Sequence, residues 1–201
     1  MAPGKTNQAS LTRETILSAA IRLFQQFGFS TLGMRQIAEK LQIKAPSLYH
    51  HFASKEDLAK QAMQQYRDEQ AVRLLAISGM ANLALTEQLR EYTELFALML
   101  EDERRPCLYL TMVREPSLQE SACVEELRQF SLQNVDWLEQ VLRKETGSPQ
   151  GAKERNLAEL IFASLEGLMA VAIVERSPHK AFRERADVLL NLVLGSLQAP
   201  R

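Results

Sequence analysis

Residues 43–52 carry four side chains that can donate hydrogen bonds to an outside surface: Lys44, Ser47, Tyr49 and His50. Three apolar residues interleave with them and can anchor the segment to a core: Ile43, Leu48 and Phe52. A short helix that exposes cationic and hydroxyl donors on an apolar base is suited to contact phosphates and base edges. The pattern indicates a helix that reads a surface, and duplex DNA fits that chemistry.

The elements around this segment are predicted to be helical. Good helix formers dominate the 201 residues, apolar residues recur at three- and four-residue spacing, and alternating β-branched runs are absent. We therefore predict an all-α protein. A first helix is predicted from an N-cap at Thr12 to a C-cap at Gly28, after a loose tail over residues 1–10.

Short helices are predicted over 34–41 and 45–52, with Pro46 in the first turn of the second. A fourth helix begins after a Ser54 cap, with Asp57 at capping-box spacing, and runs past Tyr66 towards Ile77. Proline and glycine positions divide the remainder into five further predicted helices. These are 83–103, 106–114, 117–145, 152–176 and 181–197.

Charge is unevenly distributed along the chain. The net charge is −1, but residues 1–66 carry +4 and the remainder carries −5. A basic first third on an acidic body favours a polyanion-binding segment joined to a different kind of domain.

Several classes of protein are disfavoured by the sequence. It contains no glycine-rich phosphate loop, no HExxH, no GxSxG and no CxxC, which argues against an enzyme. The two cysteines, Cys107 and Cys123, lack metal-ligand spacing and suggest a reducing compartment. The longest apolar stretch, 160–174, contains Glu166 and is too short for a membrane span. With a polar N-terminus and no secretory signal, we expect a cytoplasmic protein without resident metal or cofactor.

The helix pair over 34–52, braced by a longer helix before it, is typical of a helix-turn-helix, whose second helix lies in the major groove. A small helical subdomain with exposed polar residues is the alternative. The order of motifs adds a family resemblance. Residues 12–17 (TRETIL), 24–29 (FQQFGF), 34–38 (MRQIA), 48–52 (LYHHF) and 54–56 (SKE) closely resemble the TetR family of bacterial regulators, in register over residues 11–60.

The resemblance implies a DNA-binding domain over residues 1–55 and a helical ligand-binding and dimerisation domain over 56–201. It places these residues at the DNA: Arg35, Lys44, Ala45, Pro46, Ser47, Tyr49, His50 and Lys55. Lys44 and Ser47 are expected to reach base edges, and Tyr49, His50, Lys55 and Arg35 to contact phosphates. His51 is expected to be partly packed against the fold.

The chain departs from the family pattern at three points. Leu32 and Gly33 stand where members often have a capping Thr or Ser before the second helix. Gln42 stands where the turn often has Gly. Lys44 stands where a Ser usually caps the third helix, and an ammonium group cannot accept hydrogen bonds from backbone N–H groups.

A small-molecule effector is expected in the larger domain, in a cavity walled by aromatic and methionine side chains with few polar groups. The predicted lining consists of Phe96, Met99, Cys107, Tyr109, Met112, Phe130, Trp137, Phe162, Glu166 and Met169. Each of the apolar residues is alternatively a core residue. Glu166 either pairs with a basic residue or faces the pocket. Cys107 is either a buried small hydrophobe or a reactive sensor thiol near a helix start.

The last two helices are predicted to form a homodimer interface. Small residues on one face permit close approach of backbones, and aliphatic residues supply apolar area. The predicted interface comprises Ala163, Gly167, Ala170, Val188, Leu189, Leu192, Val193 and Leu197. Two such helix pairs would form a four-helix interface that sets two reading helices about 34–36 Å apart on an inverted repeat.

The predicted function is a ligand-released transcriptional repressor that binds double-stranded DNA as a homodimer. An activator or ligand-independent DNA binder is a second hypothesis, favoured by a filled core. A helical adaptor that binds protein partners through the basic segment is a third. Steep salt dependence of duplex binding separates the regulators from the adaptor.

Overall fold

The computed structural model describes residues 12–80, 83–101, 104–147 and 152–198, and within them the regular structure is helical without strands. The helices are α1 (Arg13–Phe27), α2 (Met34–Lys40), α3 (Ala45–His51), α4 (Lys55–Gly79), α5 (Leu85–Glu101), α6 (Leu108–Met112), α7 (Pro116–Gln119), α8 (Cys123–Thr146), α9 (Ala152–Ala172) and α10 (Pro178–Gln198). The all-α prediction is confirmed. The predicted N-terminal tail, residues 1–10, lies outside the described residues.

The first three helices form a small unit, here called the head. Thr12 caps α1 by accepting a hydrogen bond from the Thr15 N–H at 3.3 Å, and Gly28 ends the helix at φ 80°. A left-handed backbone there suits glycine, because it lacks a Cβ. Leu48 and Phe52 are buried in the same hydrophobic cluster as Phe24 of α1, and this apolar base holds α3 in place.

The turn between α2 and α3 is a Schellman motif. The Ile43 N–H donates to the Ala38 carbonyl and the Gln42 N–H to the Glu39 carbonyl, each at 3.0 Å. This motif puts its C′ residue in the left-handed region, and Gln42 has φ 56°. The departure from glycine at this position therefore places a Cβ in a conformation that disfavours it.

Helix α4 belongs to both parts of the molecule. Ser54 caps it by accepting from the Asp57 N–H at 3.1 Å, and the Asp57 carboxylate accepts from the Ala53 N–H at 3.0 Å. Helix α4 packs on α1 of the head and on α5, α6 and α8. The predicted run past Tyr66 to Ile77 is confirmed, and the predicted domain boundary after residue 55 falls in the first turn of α4.

Helices α5 to α10, here called the body, pack mainly as α5 with α10, α9 with α8 and α10, and α4 with α8. A buried polar network joins α4, α5 and α8. The Gln70 side-chain N–H and the Tyr92 hydroxyl both donate to the Asn134 side-chain carbonyl at 3.0 Å, and the Asn134 amide donates to the Phe130 carbonyl at 2.8 Å. Such a network fixes how the three helices are aligned.

Two predictions about the body are wrong. The helix predicted over 117–145 is two helices, because the chain turns between α7 and α8, where Ser121 donates to the Leu118 carbonyl and accepts from the Cys123 N–H. Leu118 and Cys123 are both fully buried, so packing on each side of the turn sets the break. Val193, predicted for the dimer surface, is buried in the core of its own chain.

Candidate nucleic-acid interface

Helix α3 presents its polar side chains outwards. Lys44, Ser47 and His50 are exposed, and Tyr49 is 51 % exposed despite its ring. Leu48 lies on the opposite side of the helix and has no exposed surface. Side chains on one buried anchor are held in a fixed orientation, which suits contacts to a rigid duplex.

The start of α3 matches the expectation for Lys44. Its backbone is extended, at φ −76° and ψ 140°, and its side chain makes no capping hydrogen bond. The neighbouring Pro46 is exposed in the first turn, where the missing N–H leaves no helical hydrogen bond unmade. Ala45 is half-buried because it packs against the core, so its methyl group is less available for a DNA contact than the Lys44 ammonium.

The remaining predicted contact residues differ in their availability. Arg35 on α2 is exposed. Lys55 is half-buried, its ammonium donates to the Phe29 carbonyl at 3.1 Å, and it lies 4.0 Å from the centre of the Phe29 ring. The lysine ammonium has three N–H groups, so a phosphate contact would use those that Phe29 does not take.

His51 is partly packed, as predicted. Its ring lies edge-on to His50 at 5.4 Å between centroids and at 6.2 Å from the Phe52 ring. It therefore supports the exposed His50 ring.

The start of α2 compensates for the missing Ser or Thr. The Gly33 N–H donates to the Gln36 side-chain oxygen at 2.7 Å, and Leu32 is buried. A side chain three residues into the helix thus caps a glycine. This use of Gln36 was missed in the sequence, although Gln at the third helical position is a known capping signal.

Comparison with known proteins identifies this arrangement. The model of the bacterial regulatory proteins of the tetR family matches residues 16–62, which contain α2, α3 and most of α1. A crystal structure of a TetR transcriptional regulator from Legionella pneumophila superposes with a TM-score of 0.79 at 25 % identity, over 90 % of this chain and 98 % of that one. The TetR family is the one that these matches support.

Relatives with curated names match over shorter spans. The uncharacterised HTH-type regulator YuxN of Bacillus subtilis is 28 % identical over 78 % of this chain and 52 % of its own length. The HTH-type transcriptional repressor KstR2 of Mycolicibacterium smegmatis is 34 % identical over 34 % of this chain and 33 % of its own length. The match thus spans about half of the length of YuxN and about a third of the length of KstR2. Reduced NemR of Escherichia coli shares the fold, with a TM-score of 0.68 at 18 % identity.

The residues predicted to bind an effector form a packed aromatic cluster in the body. The Tyr109 ring stacks on Phe130 at 5.6 Å and lies 5.6 Å from Phe162, and Tyr66 of α4 joins the cluster 5.4 Å from Phe130. Most of the predicted lining is buried: Phe96, Cys107, Met112, Phe130, Trp137, Phe162, Glu166 and Met169. Of the ten predicted residues, Met99 lines the cavity of about 380 Å³ that opens beside this cluster.

Glu166 lies in this apolar interior, and neither carboxylate oxygen accepts a hydrogen bond of normal geometry from the described part of the chain. Burial raises the pKa of Glu166 to about 7, and the nearby Cys107 thiol acts in the opposite direction. The first alternative, an ion pair with a basic residue, has no support among the described residues. Ionising the buried Glu166 carboxyl group is therefore costly.

Cys107 is fully buried at the start of α6. Its N–H contacts the Met169 sulfur at 2.9 Å, and the Tyr66 hydroxyl lies 3.5 Å from its thiol. Burial and then the Glu166 charge raise the pKa of the Cys107 thiol well above its usual range. The thiol is therefore the unreactive form, which favours the structural interpretation over the sensor.

The predicted dimer residues are mostly exposed. Ala163, Gly167 and Ala170 lie on the outer side of α9, with Val188 and Leu192 on α10. Leu189 and Leu197 are half-buried. Three neighbouring aliphatic residues that the sequence reasoning did not include are also exposed: Leu160, Val171 and Val174.

The described residues lack two other kinds of site. They contain no helix long and apolar enough to cross a membrane. They also contain no group of three or more His, Cys, Asp or Glu side chains arranged to hold a metal ion.

Proposed function

We propose that this protein is a transcriptional repressor that binds an inverted-repeat operator as a homodimer and is released by a small molecule. Its DNA-binding domain would comprise residues 1–55, and residues 56–201 would bind effector and dimerise, in the bacterial cytoplasm where the DNA is. The observation that supports this best is α3, which exposes Lys44, Ser47, Tyr49 and His50 on the buried base of Leu48 and Phe52. The relative KstR2 is itself named a repressor.

The proposed contacts divide by position. Lys44 and Ser47 lie at the start of α3, the end of a recognition helix that contacts base edges in the major groove. Tyr49, His50 and Arg35 would contact phosphates and fix how the helix lies in the groove.

The homodimer is proposed from the outer surface of α9 and α10. Val188 and Leu192 lie one turn apart on α10 and are 60 % and 69 % exposed, so together they offer an apolar surface to another chain. The exposed small residues Ala163 and Gly167 of α9 would allow close approach of a second copy. A twofold pair built this way matches the twofold symmetry of an inverted repeat.

Release is proposed as a shift between two arrangements of the head and body. An effector changes the equilibrium only if it binds the two arrangements unequally. Helix α4 packs on both parts, so it is the element that would carry the change to α3.

Selection of bound sequences from random duplex DNA tests the proposal. We expect a palindrome whose half-sites are about one helical turn apart. Ser47→Ala should relax preference at one base position at a cost of about 1–3 kcal/mol, whereas Arg35→Ala should weaken all sequences and lower the salt slope by about 1. Arg128→Ala removes an exposed cation of the body and is the control. Enrichment of no sequence would contradict the proposal.

A ligand-independent DNA binder is the second candidate, favoured by the filled aromatic cluster around Phe130 and Phe162. Adding candidate metabolites to the selected complex distinguishes the two, because only a ligand-released repressor would dissociate. An adaptor for protein partners would show no steep loss of duplex binding with salt.

A further inference from the structure

Three sulfur-containing side chains, Met99, Cys107 and Met169, meet inside the body and are here called the sulfur cluster. The Tyr66 hydroxyl oxygen lies 3.1 Å from the Met99 sulfur and 3.5 Å from the Cys107 sulfur. The Met169 sulfur lies 2.9 Å from the Cys107 backbone nitrogen. Met99 belongs to α5, Met169 belongs to α9 and Cys107 directly precedes α6, so only the fold brings the three together.

A buried carboxyl group adjoins the sulfur cluster. Glu166 lies one turn before Met169 on α9, is 5 % exposed, and accepts no hydrogen bond of normal geometry at either oxygen within the described ranges. Besides burial, Glu166 and Cys107 each affect the pKa of the other, so the two groups lie side by side. A buried polar group without a partner is costly, and a cation beside it would remove that cost.

The donor atoms of the cluster select the kind of cation. One thiol and two thioethers are soft ligands, and soft ligands favour Cu(I), whereas Mg²⁺, Ca²⁺ and Mn²⁺ favour oxygen. Zinc sites use thiolate, imidazole and carboxylate ligands. The described residues contain no group of three or more His, Cys, Asp or Glu side chains placed to hold a metal ion, so the cluster does not suit Zn²⁺.

The present contacts of the cluster can be exchanged for bonds to a metal ion. Sulfur is a weak hydrogen-bond acceptor, so little is lost when an ion displaces the Tyr66 hydroxyl from Met99 and Cys107. Methionine side chains are unbranched and rotate about three bonds, which lets Met99 and Met169 adjust to an ion. Tyr66 and Met99 also line the cavity of about 380 Å³, which gives an ion a path to the cluster.

We propose that the sulfur cluster binds one Cu(I) ion through the sulfur atoms of Met99, Cys107 and Met169. Cys107 binds as the thiolate, its proton passes to solvent as the copper–sulfur bond forms, and no electron is transferred. A thiolate and a monovalent cation neutralise each other, which suits an apolar interior. A thiol that resists electrophiles because it is protonated can still bind a metal ion, since the ion takes the place of the proton.

The proposed metal site lies beside the contact between body and head. Pro106, next to Cys107 in the chain, accepts a hydrogen bond from the Gln25 side chain of α1 at 2.9 Å. A shift of Cys107 on metal binding would therefore reach α1. An effect of the metal on DNA binding rests on the proposed function, but the metal site itself does not.

Titration of the free protein, without DNA, tests the site by itself. The reduced, metal-free protein is titrated with Cu(I) under anaerobic conditions in competition with bicinchoninate. We expect one ion to bind per chain and to produce the ultraviolet absorption of a copper–thiolate bond. Ag(I), which has the same ligand preference and is not readily oxidised, should bind with the same stoichiometry, and Zn²⁺ should not displace either ion.

Variants of single sulfur atoms locate the ion. Cys107→Ser should weaken Cu(I) binding by more than about 100-fold, because even the groups that only orient metal ligands contribute about 10–100-fold in affinity. Met169→Leu keeps the volume of the side chain and should weaken binding by about 10-fold. Circular dichroism checks that each variant is folded, and Cys107→Ala replaces Cys107→Ser if the buried hydroxyl group prevents folding.

The chain offers a matched control for each variant. Cys123 is as fully buried as Cys107, but its N–H contacts the Ser121 hydroxyl at 3.1 Å and not a thioether, so Cys123→Ser should retain Cu(I) binding. Met80 is 46 % exposed, and Met80→Leu should have no effect. Failure of both Cu(I) and Ag(I) to bind, binding that survives the loss of Cys107, or equal losses in a variant and its control would overturn the proposed site. Because no DNA is present, these outcomes are separate from a failure to find an operator.

Discussion

Replacing Glu166 with glutamine is expected to remove a pH dependence from the free energy of unfolding. The carboxyl group is buried on α9 with no hydrogen-bond donor of normal geometry among the described residues. Its pKa is about 7 in the folded protein and has its ordinary value of 4.5 when unfolded. Above pH 4.5 the unfolded chain loses this proton while the folded chain still holds it.

The direction and size follow from proton linkage. Because the folded state binds the proton more tightly, the free energy of unfolding falls as pH rises from 4.5 and stops falling above pH 7. Between pH 5 and pH 8 the Glu166 contribution falls by about 2.5 kcal/mol, using about 1.36 kcal/mol for each pKa unit. Glutamine does not titrate, so the variant should lack this decline.

The other titratable groups near Glu166 add no pH dependence between pH 5 and pH 8. Burial raises the pKa of Tyr66, Tyr92 and Cys107 well above their usual ranges, so none of them ionises between pH 5 and pH 8. The buried glutamine amide adds a cost that does not depend on pH. The predicted quantity is therefore the difference between variant and parent across pH, not the stability of either at one pH.

The assay is urea unfolding followed by circular dichroism at half-unit steps from pH 5 to pH 8. The protein concentration is held fixed because the proposed dimerisation would add to stability. Glu91→Gln removes an exposed carboxylate of α5 and controls for the loss of one charge. A Glu166→Gln curve parallel to that of the parent protein would refute the assignment of a raised pKa to this carboxyl group.

Three further outcomes are expected. Gln42→Gly should increase the free energy of unfolding by about 0.5–1 kcal/mol, because the φ of 56° strains a residue with a Cβ. The urea midpoint should therefore rise while the slope m stays unchanged. Cys107 and Cys123 should react slowly with 5,5′-dithiobis(2-nitrobenzoate) at pH 8 and at once in urea, because both are buried and burial raises the pKa of Cys123 to about 12. Leu192→Glu should shift sedimentation equilibrium towards monomer, because it places a carboxylate in the proposed α9–α10 interface.

Each of these has its own control. Gln42→Ala removes the side chain beyond Cβ while keeping the strain, and stabilisation by alanine as well would show that φ is not the cause. Rapid stoichiometric labelling of folded Cys107 would restore the sensor hypothesis. Leu75 of α4 is 70 % exposed, matching the 69 % of Leu192, so Leu75→Glu should leave the dimer intact. Equal loss of dimer in both variants would contradict the proposed interface.

The head could be predicted in detail because its signals are local. Thr12, Gly28 and Ser54 each act on backbone groups within four residues, and a cap or turn of this kind is visible in a short stretch of sequence. The exposed donors of α3 are interleaved with their own anchors Leu48 and Phe52, so the buried and exposed sides of the helix could be separated in advance.

The body could be predicted only in outline. Residues 120–122 contain neither glycine nor proline, so the break before α8 has no local signal and depends on the burial of Leu118 and Cys123. Val193 is an aliphatic residue of α10 like its exposed neighbours Val188 and Leu192. Only the rotation of α10 about its own axis decides that Val193 faces the core. The alternatives for Glu166 stayed open for the same reason, since nothing near it in sequence states which helices surround it.

The polar network at Gln70 attaches α4 to the body at one point along the helix. The Gln70 and Tyr92 hydrogen bonds converge on Asn134, so a tilt of α4 in the proposed release would turn about this point. The start of α4 at Lys55 lies about 22 Å from Gln70, at about 1.5 Å per residue, so a tilt of about 5° would move that end by about 2 Å. In the proposed symmetric dimer both α4 helices would tilt together, and the distance between the two α3 helices would change by up to about twice that amount.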